Sequence, residues 1–171
     1  KALLYLERQW IPSAAGASLY IRPTMIAVDP YLGVRPSDSY YFYIILSPVG
    51  AYYAEGFNPT KIYVSDEYVR AVKGGVGNVK TGGNYAASLF TSQLAKKAGY
   101  TQVLWLDACE HRYVEEVGTS NIFFLIEDEL ITPPLEGSIL GGITRDSVLK
   151  LAASWGIRTA ERKITIDEVL A

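Results

Sequence analysis

Apolar and polar residues alternate along the chain in two styles, and the style changes near the middle. In the first half β-branched and aromatic residues crowd into short runs. Ser18–Ala27 (SLYIRPTMIA) and residues 40–46 (YYFYIIL) predict strands, with Pro23 marking an edge or a break in the first. Residues 61–64 and 68–72 predict two more. The longest apolar stretches, 43–46 and 122–126, are far too short to cross a bilayer and predict buried strands. From 84 to 98 the period lengthens. Tyr85, Leu89, Leu94 and Ala95 share a face and Gly99 follows, which predicts an amphipathic helix with a glycine stop. Strands are then expected at Gln102–Leu106, 112–114, 121–126 and Glu129–Thr132. A second helix is expected at 144–155, with Val148, Leu149, Leu151 and Ala152 as its apolar face and Gly156 as its end. Many strands with few helices, in non-alternating order and without internal repeats, argue an α+β fold.

Composition narrows the chemistry. At 171 residues and 49% hydrophobic, the chain is long and apolar enough to bury a core. Sixteen basic against eighteen acidic residues give a net charge of −2, with no basic run, so neither nucleic acid nor a membrane is an expected partner. A single cysteine rules out an intramolecular disulfide. A single histidine would leave a zinc site to be built mostly from carboxylates, so no metal is expected. Cys109, Glu110 and His111 lie between two apolar runs and read as a turn with a structural or surface role. No Gly-x-Ser-x-Gly elbow exists to present a serine to His111. The chain starts at Lys1 with an apolar run and no signal segment, and 166–171 reads as the first turn of a helix. Both ends therefore read as cuts in a longer polypeptide, and 50–59, with its glycines, proline and three aromatics, as a loop lined for contact.

Three sites carry candidate chemistry. Residues 74–85 (GGVGNVKTGGNY) resemble a phosphate-binding P-loop at first sight, but Val79 stands where that loop needs glycine before its lysine. Glycines on either side would instead let Lys80 project freely. Such a lysine, with its amine freed by burial, serves as a nucleophile that forms an imine; the plain alternative is an exposed lysine in a turn. At 140–146 (LGGITRD), glycines precede a helix start, where free N–H groups favour an anion; alternatively Thr144 or Asp146 simply caps the helix. A poised lysine and a distant phosphate cup are what pyridoxal 5'-phosphate (PLP) would use. PLP also needs an acid at its ring nitrogen. Glu115 and Glu116 are adjacent, so one is expected to turn inward and the other to solvent.

Residues 80–85 (KTGGNY), 103–107 (VLWLD), 116–123 (EVGTSNIF), 132–134 (TPP) and 142–146 (GITRD) resemble, in order and spacing, the branched-chain amino acid aminotransferases, PLP enzymes of fold type IV. Residues 18–23 (SLYIRP) and 46–50 (LSPVG) match as well, so the resemblance spans essentially the whole chain. It implies that 1–49 ends a small N-terminal domain, that 50–59 is an interdomain loop closing over the substrate, and that 60–171 is most of a largely β, pseudo-barrel PLP domain. It implies that Lys80 bonds PLP and moves the substrate proton, and that Tyr85 hydrogen-bonds the phenolic oxygen. Glu116 pairs with the ring nitrogen, backbone amides of Ile143 and Thr144 cradle the phosphate, and Arg70 lies near the cofactor. Tyr20 and Arg22 fall on substrate-side positions. The activity implied is transamination of leucine, isoleucine and valine with 2-oxoglutarate, by a cytoplasmic homodimer, or a mitochondrial one in a eukaryote. Gly141 stands where the family usually has proline. Alternatives are a non-catalytic fragment of such an enzyme, and a D-amino acid aminotransferase or aminodeoxychorismate lyase of the same fold.

Overall fold

The computed structural model describes residues 1–50, 56 and 58–171, so most of the loop expected at 50–59 lies outside the described residues. The chain forms two compact units, Lys1–Asn58 and Pro59–Ala171. Helix and strand are mixed in the order expected of an α+β fold.

The first unit opens with the short helix α1 (Ala2–Leu6) and a 3-10 turn at Arg8–Trp10. An antiparallel ribbon follows, of β1 (Ser18–Ala27) and β2 (Tyr40–Val49), paired from Ser18 with Val49 to Ala27 with Tyr40. Asp29 closes the connection, accepting from the Asp38 N–H at 2.9 Å and pairing with Arg35 at 2.8 Å. Pro23 is accommodated because, among the described residues, β1 pairs on one side only. The expectation that 43–46 is buried fails: Tyr43, Ile44 and Ile45 are exposed, on a ribbon that has only two strands among the described residues of the first unit.

The second unit holds two three-stranded sheets. In one, β3 (Ile62–Ser65) runs parallel to β4 (Gln102–Leu106), which pairs antiparallel with β5 (Val114–Val117). In the other, β6 (Phe124–Ile126) pairs antiparallel with β7 (Glu129–Thr132), and β7 runs parallel to β8 (Arg158–Glu161). Each parallel pair needs a crossover, supplied by α2 (Gly82–Lys97) and α3 (Ile143–Ser154). The terminal α4 (Ile166–Leu170) is capped by Thr165, whose hydroxyl accepts from the Glu168 N–H at 3.0 Å.

The core follows from the apolar run of β4, a strand buried on both faces. Val103 and Trp105 pack with Ala95 and Tyr63 on one face; Leu104 and Leu106 pack with Val114 on the other. The predicted inner faces of both helices need correction. In α2, Leu89 is exposed and Leu94 borders on it, while Ser88, Thr91 and Ala95 are buried. Small side chains let the helix approach the sheet closely, a contact that spacing of large apolar residues does not reveal. In α3, Leu151 is exposed and the buried residues are Arg145 and Ala152.

Three strand expectations also shift. No strand forms at 68–72, where the Ser65 hydroxyl donates to the Tyr68 carbonyl at 2.6 Å and accepts from its N–H, closing a turn. The strand expected at 112–114 begins at Val114 instead, and the one at 121–126 shortens to Phe124–Ile126 because Asn121 is engaged elsewhere. Cys109, Glu110 and His111 do form a turn. Asp107 organises it, its carboxylate accepting N–H bonds from Cys109, Glu110, Arg112 and Tyr113 at 2.8–3.1 Å.

Candidate active site

A register shift on β5 sets the centre of the site. Trp105 pairs with Glu116 but Leu106 pairs with Val114, leaving Glu115 as the extra residue of a bulge. Bulges break the in–out alternation of a strand, so the expectation of one glutamate inside and one in solvent is only half met. Glu116 is 3% exposed and faces a cavity of about 550 Å³. Glu115 is partly buried and accepts from the Ser138 hydroxyl.

Glu116 is surrounded by donors. Its Oε1 accepts from Asn121 Nδ2 at 3.2 Å and from the Leu140 N–H at 3.3 Å, and Arg70 Nε stands 3.0 Å from Oε2. Burial pushes the Glu116 carboxyl above its ordinary range, and Arg70, the Leu140 N–H and Lys80 act against that rise. Glu115 is also raised by burial, opposed by Ser138 and Arg70.

The glycine stretch approaches the same cavity. Gly77 lies against the Ser138 carbonyl so tightly that a Cβ there would collide with it and with Ala71. Asn84, in the first turn of α2, ties the loop down by donating to the carbonyls of Val76 and Val79 at 2.8 and 2.9 Å. Lys80 is thereby presented between a held loop and a helix start. Its Nζ donates to Tyr85 Oη at 3.4 Å. Lys80 is exposed, as the plain alternative had it, and it lines the cavity.

The N-terminus of α3 lines the same cavity. Its N-cap is Gly142, and no side chain caps its first turn; Asp146 instead pairs with Lys150 at 2.7 Å. The first-turn N–H groups are thus left for an anion, as the capping alternative would not have them. Gly142 packs on Asn121, where a Cβ would collide with Oδ1.

Lys80, Tyr85, Glu116, Ile143, Thr144 and Arg70 therefore line one cavity. Arg70 lies there with its guanidinium turned to Glu116 and to the Ser138 carbonyl. Tyr20 and Arg22 are brought to each other on β1, the Arg22 guanidinium 5.2 Å from the centre of the Tyr20 ring, but they belong to the first unit. Asn84, Asn121 and Ser138 were not singled out from the sequence. The two asparagines stand inside the motifs that carry the family resemblance; Ser138 lies in a loop with no pattern to mark it. The donor set fits PLP: an amine for its aldehyde, a hydroxyl beside that amine, a buried carboxylate for its ring nitrogen and an uncapped helix start for its phosphate. Among the described residues no cluster suited to a metal occurs, and no helix is long and apolar enough to cross a membrane.

Residues 6–171 match the family described as amino-transferase class IV. Among curated relatives, branched-chain-amino-acid aminotransferase 2 of Bacillus subtilis is 58% identical over 99% of this chain and 47% of its own length. Branched-chain-amino-acid transaminase 1 of the same organism is 59% identical over 99% and 48%. The chain thus spans about half the length of these relatives. Among solved structures, a branched-chain amino acid aminotransferase of Escherichia coli matches with TM-score 0.77 and 34% identity, over 88% of this chain and 50% of that one. An aminotransferase from Brucella abortus bound to the co-factor PLP matches with TM-score 0.81 and 26% identity, over 99% and 59%.

Proposed function

The chain belongs to the class IV amino-transferase family, and from that premise we propose that it carries the PLP centre of a branched-chain amino acid aminotransferase. The observation that carries this reading is the convergence of Lys80, Tyr85, Glu116 and the uncapped start of α3 on one cavity. The two Bacillus relatives, named for branched-chain amino acids, support the substrate class.

In this reading Lys80 Nζ is the covalent anchor, Tyr85 Oη steadies the cofactor oxygen beside it, and the N–H groups of Ile143 and Thr144 hold the phosphate. When bound, PLP supplies an electron sink for the negative charge left on an amino acid's Cα when its proton departs. Glu116, held ionised, keeps a proton on the ring nitrogen. Once the incoming amino group has taken its place on the cofactor, the freed Lys80 amine would take the Cα proton of the substrate and hold it for return, acting as base and then acid. Tyr20 and Arg22 serve the substrate side, and a cytoplasmic homodimer is the expected assembly. Donor L-leucine, L-isoleucine or L-valine yields a branched 2-oxo acid, and 2-oxoglutarate accepts the amino group as glutamate. Discrimination among the three is weak, since a methylene is worth about 1–3 kcal/mol.

The test is an assay of the full-length protein with L-leucine and 2-oxoglutarate, following glutamate formation. Glutamate formed with L- but not D-leucine is the expected result. Turnover of D-amino acids alone would favour a D-amino acid aminotransferase, and no turnover with any amino donor would contradict the reading.

A further inference from the structure

Arg70 is a buried cation in the wall of the cavity. It is 9% exposed, its Nη2 donates to the Ser138 carbonyl, and its Nε lies 3.0 Å from Glu116 Oε2. That Nε makes no aligned hydrogen bond, so Arg70 and Glu116 form an ion pair by charge and distance while the carboxylate's directed bonds come from Asn121 and Leu140. Ser138 is braced in turn. Its carbonyl is pressed by Gly77 of the glycine loop, and its hydroxyl donates to Glu115. The guanidinium is therefore fixed from behind by a loop that also touches the approach to Lys80. Burial favours protonation of this carboxylate; the fixed Arg70 cation beside it opposes that, with a smaller contribution from Lys80.

We propose that Arg70 is a positioning residue that acts through Glu116, its charge holding the carboxylate ionised and oriented toward the cavity. This rests on the reading of the cavity as a PLP site. A protonated Glu116 could not keep a proton on the ring nitrogen, so losing the Arg70 charge has the same consequence as neutralising Glu116. Glutamine at position 70 removes the charge but is too short to keep the Ser138 contact, so the double variant and the charge-keeping lysine separate this role from that of a structural strut.

The experiment uses the full-length protein carrying Arg70→Gln, Glu116→Gln, both together, and Arg70→Lys. PLP affinity is measured by dialysis, and the absorption of the Lys80-bound cofactor is followed across pH. Arg70→Gln is expected to weaken PLP binding about tenfold and to alter the pH response of the absorption as Glu116→Gln does; the double variant is expected to be no worse than Glu116→Gln alone. Arg70→Lys should restore most of the wild-type spectrum. Losses that multiply in the double variant, or an Arg70→Gln protein with wild-type affinity and pH response, would overturn the inference while leaving the PLP reading intact. Wild-type protein that binds no PLP would overturn both. Should Arg70→Gln fail to fold, Arg70→Lys decides alone: a spectrum and pH response near wild type support the inference, and ones near those of Glu116→Gln overturn it.

Discussion

Exchanging Asp107 for alanine removes the acceptor of four backbone N–H bonds in the turn after β4. Burial alone would raise its carboxyl, but the Tyr113, Arg112, Glu110 and Cys109 N–H groups outweigh it and hold the carboxyl at about 2. A depressed carboxylate stabilises the fold above the ordinary Asp range and loses that contribution as pH falls through its folded value. The loss should therefore fall between about pH 4 and pH 2. Discounted for the turn's contact with solvent, Asp107→Ala is expected to lower stability by roughly 1 kcal/mol at neutral pH and to flatten the acid limb of a denaturation series. Glu116 carries the opposite sign. Its raised value means the cofactor-free fold gains from protonation at low pH and loses that gain as pH rises from the ordinary Glu range through the folded value. Glu116→Gln should abolish this slope, as measured by melting temperature against pH. At this scale the sequence was partly legible. Composition alone could not rank Glu116 over Glu115; the family resemblance did, and the bulge that separates them leaves no mark in the residue pattern.

Among elements, the start of α3 and the glycine loop before α2 are the two whose backbone forms the site. Gly77→Ala should be destabilising by about 1–3 kcal/mol, because the methyl group would displace the Ser138 carbonyl. It should weaken PLP binding as well, whereas Gly137→Ala, at a position with open space but a φ of +105°, should cost stability without affecting binding. Urea denaturation and dialysis against PLP separate the two outcomes. Strand and helix existence were readable for β1, β4, β7, α2 and α3, whose periodicity or propensity is strong. The facing of the helices was not. Ser88, Thr91 and Ala95 form the inner face of α2 because they are small, and hydrophobic spacing alone points to Leu89, which is 61% exposed.

For the whole chain, β4 is the most deeply buried strand of the second unit. Trp105 is wholly buried, with its Nε1 donating to the Gly118 carbonyl at 3.0 Å, at the turn that follows Glu116. Trp105→Phe should keep most packing but orphan that carbonyl, costing about 1–3 kcal/mol in chemical denaturation and loosening the turn. The ribbon of β1 and β2 contributes a separate unit whose aromatic residues are exposed. The expectation that the chain is part of something longer agrees with its spanning about half of its relatives' length. The most direct test of the central claim is borohydride reduction of the full-length protein with PLP, followed by peptide mass spectrometry. The account predicts a phosphopyridoxyl adduct confined to Lys80 and absent in Lys80→Ala; no adduct, or one on other lysines while Lys80 stays free, would contradict it.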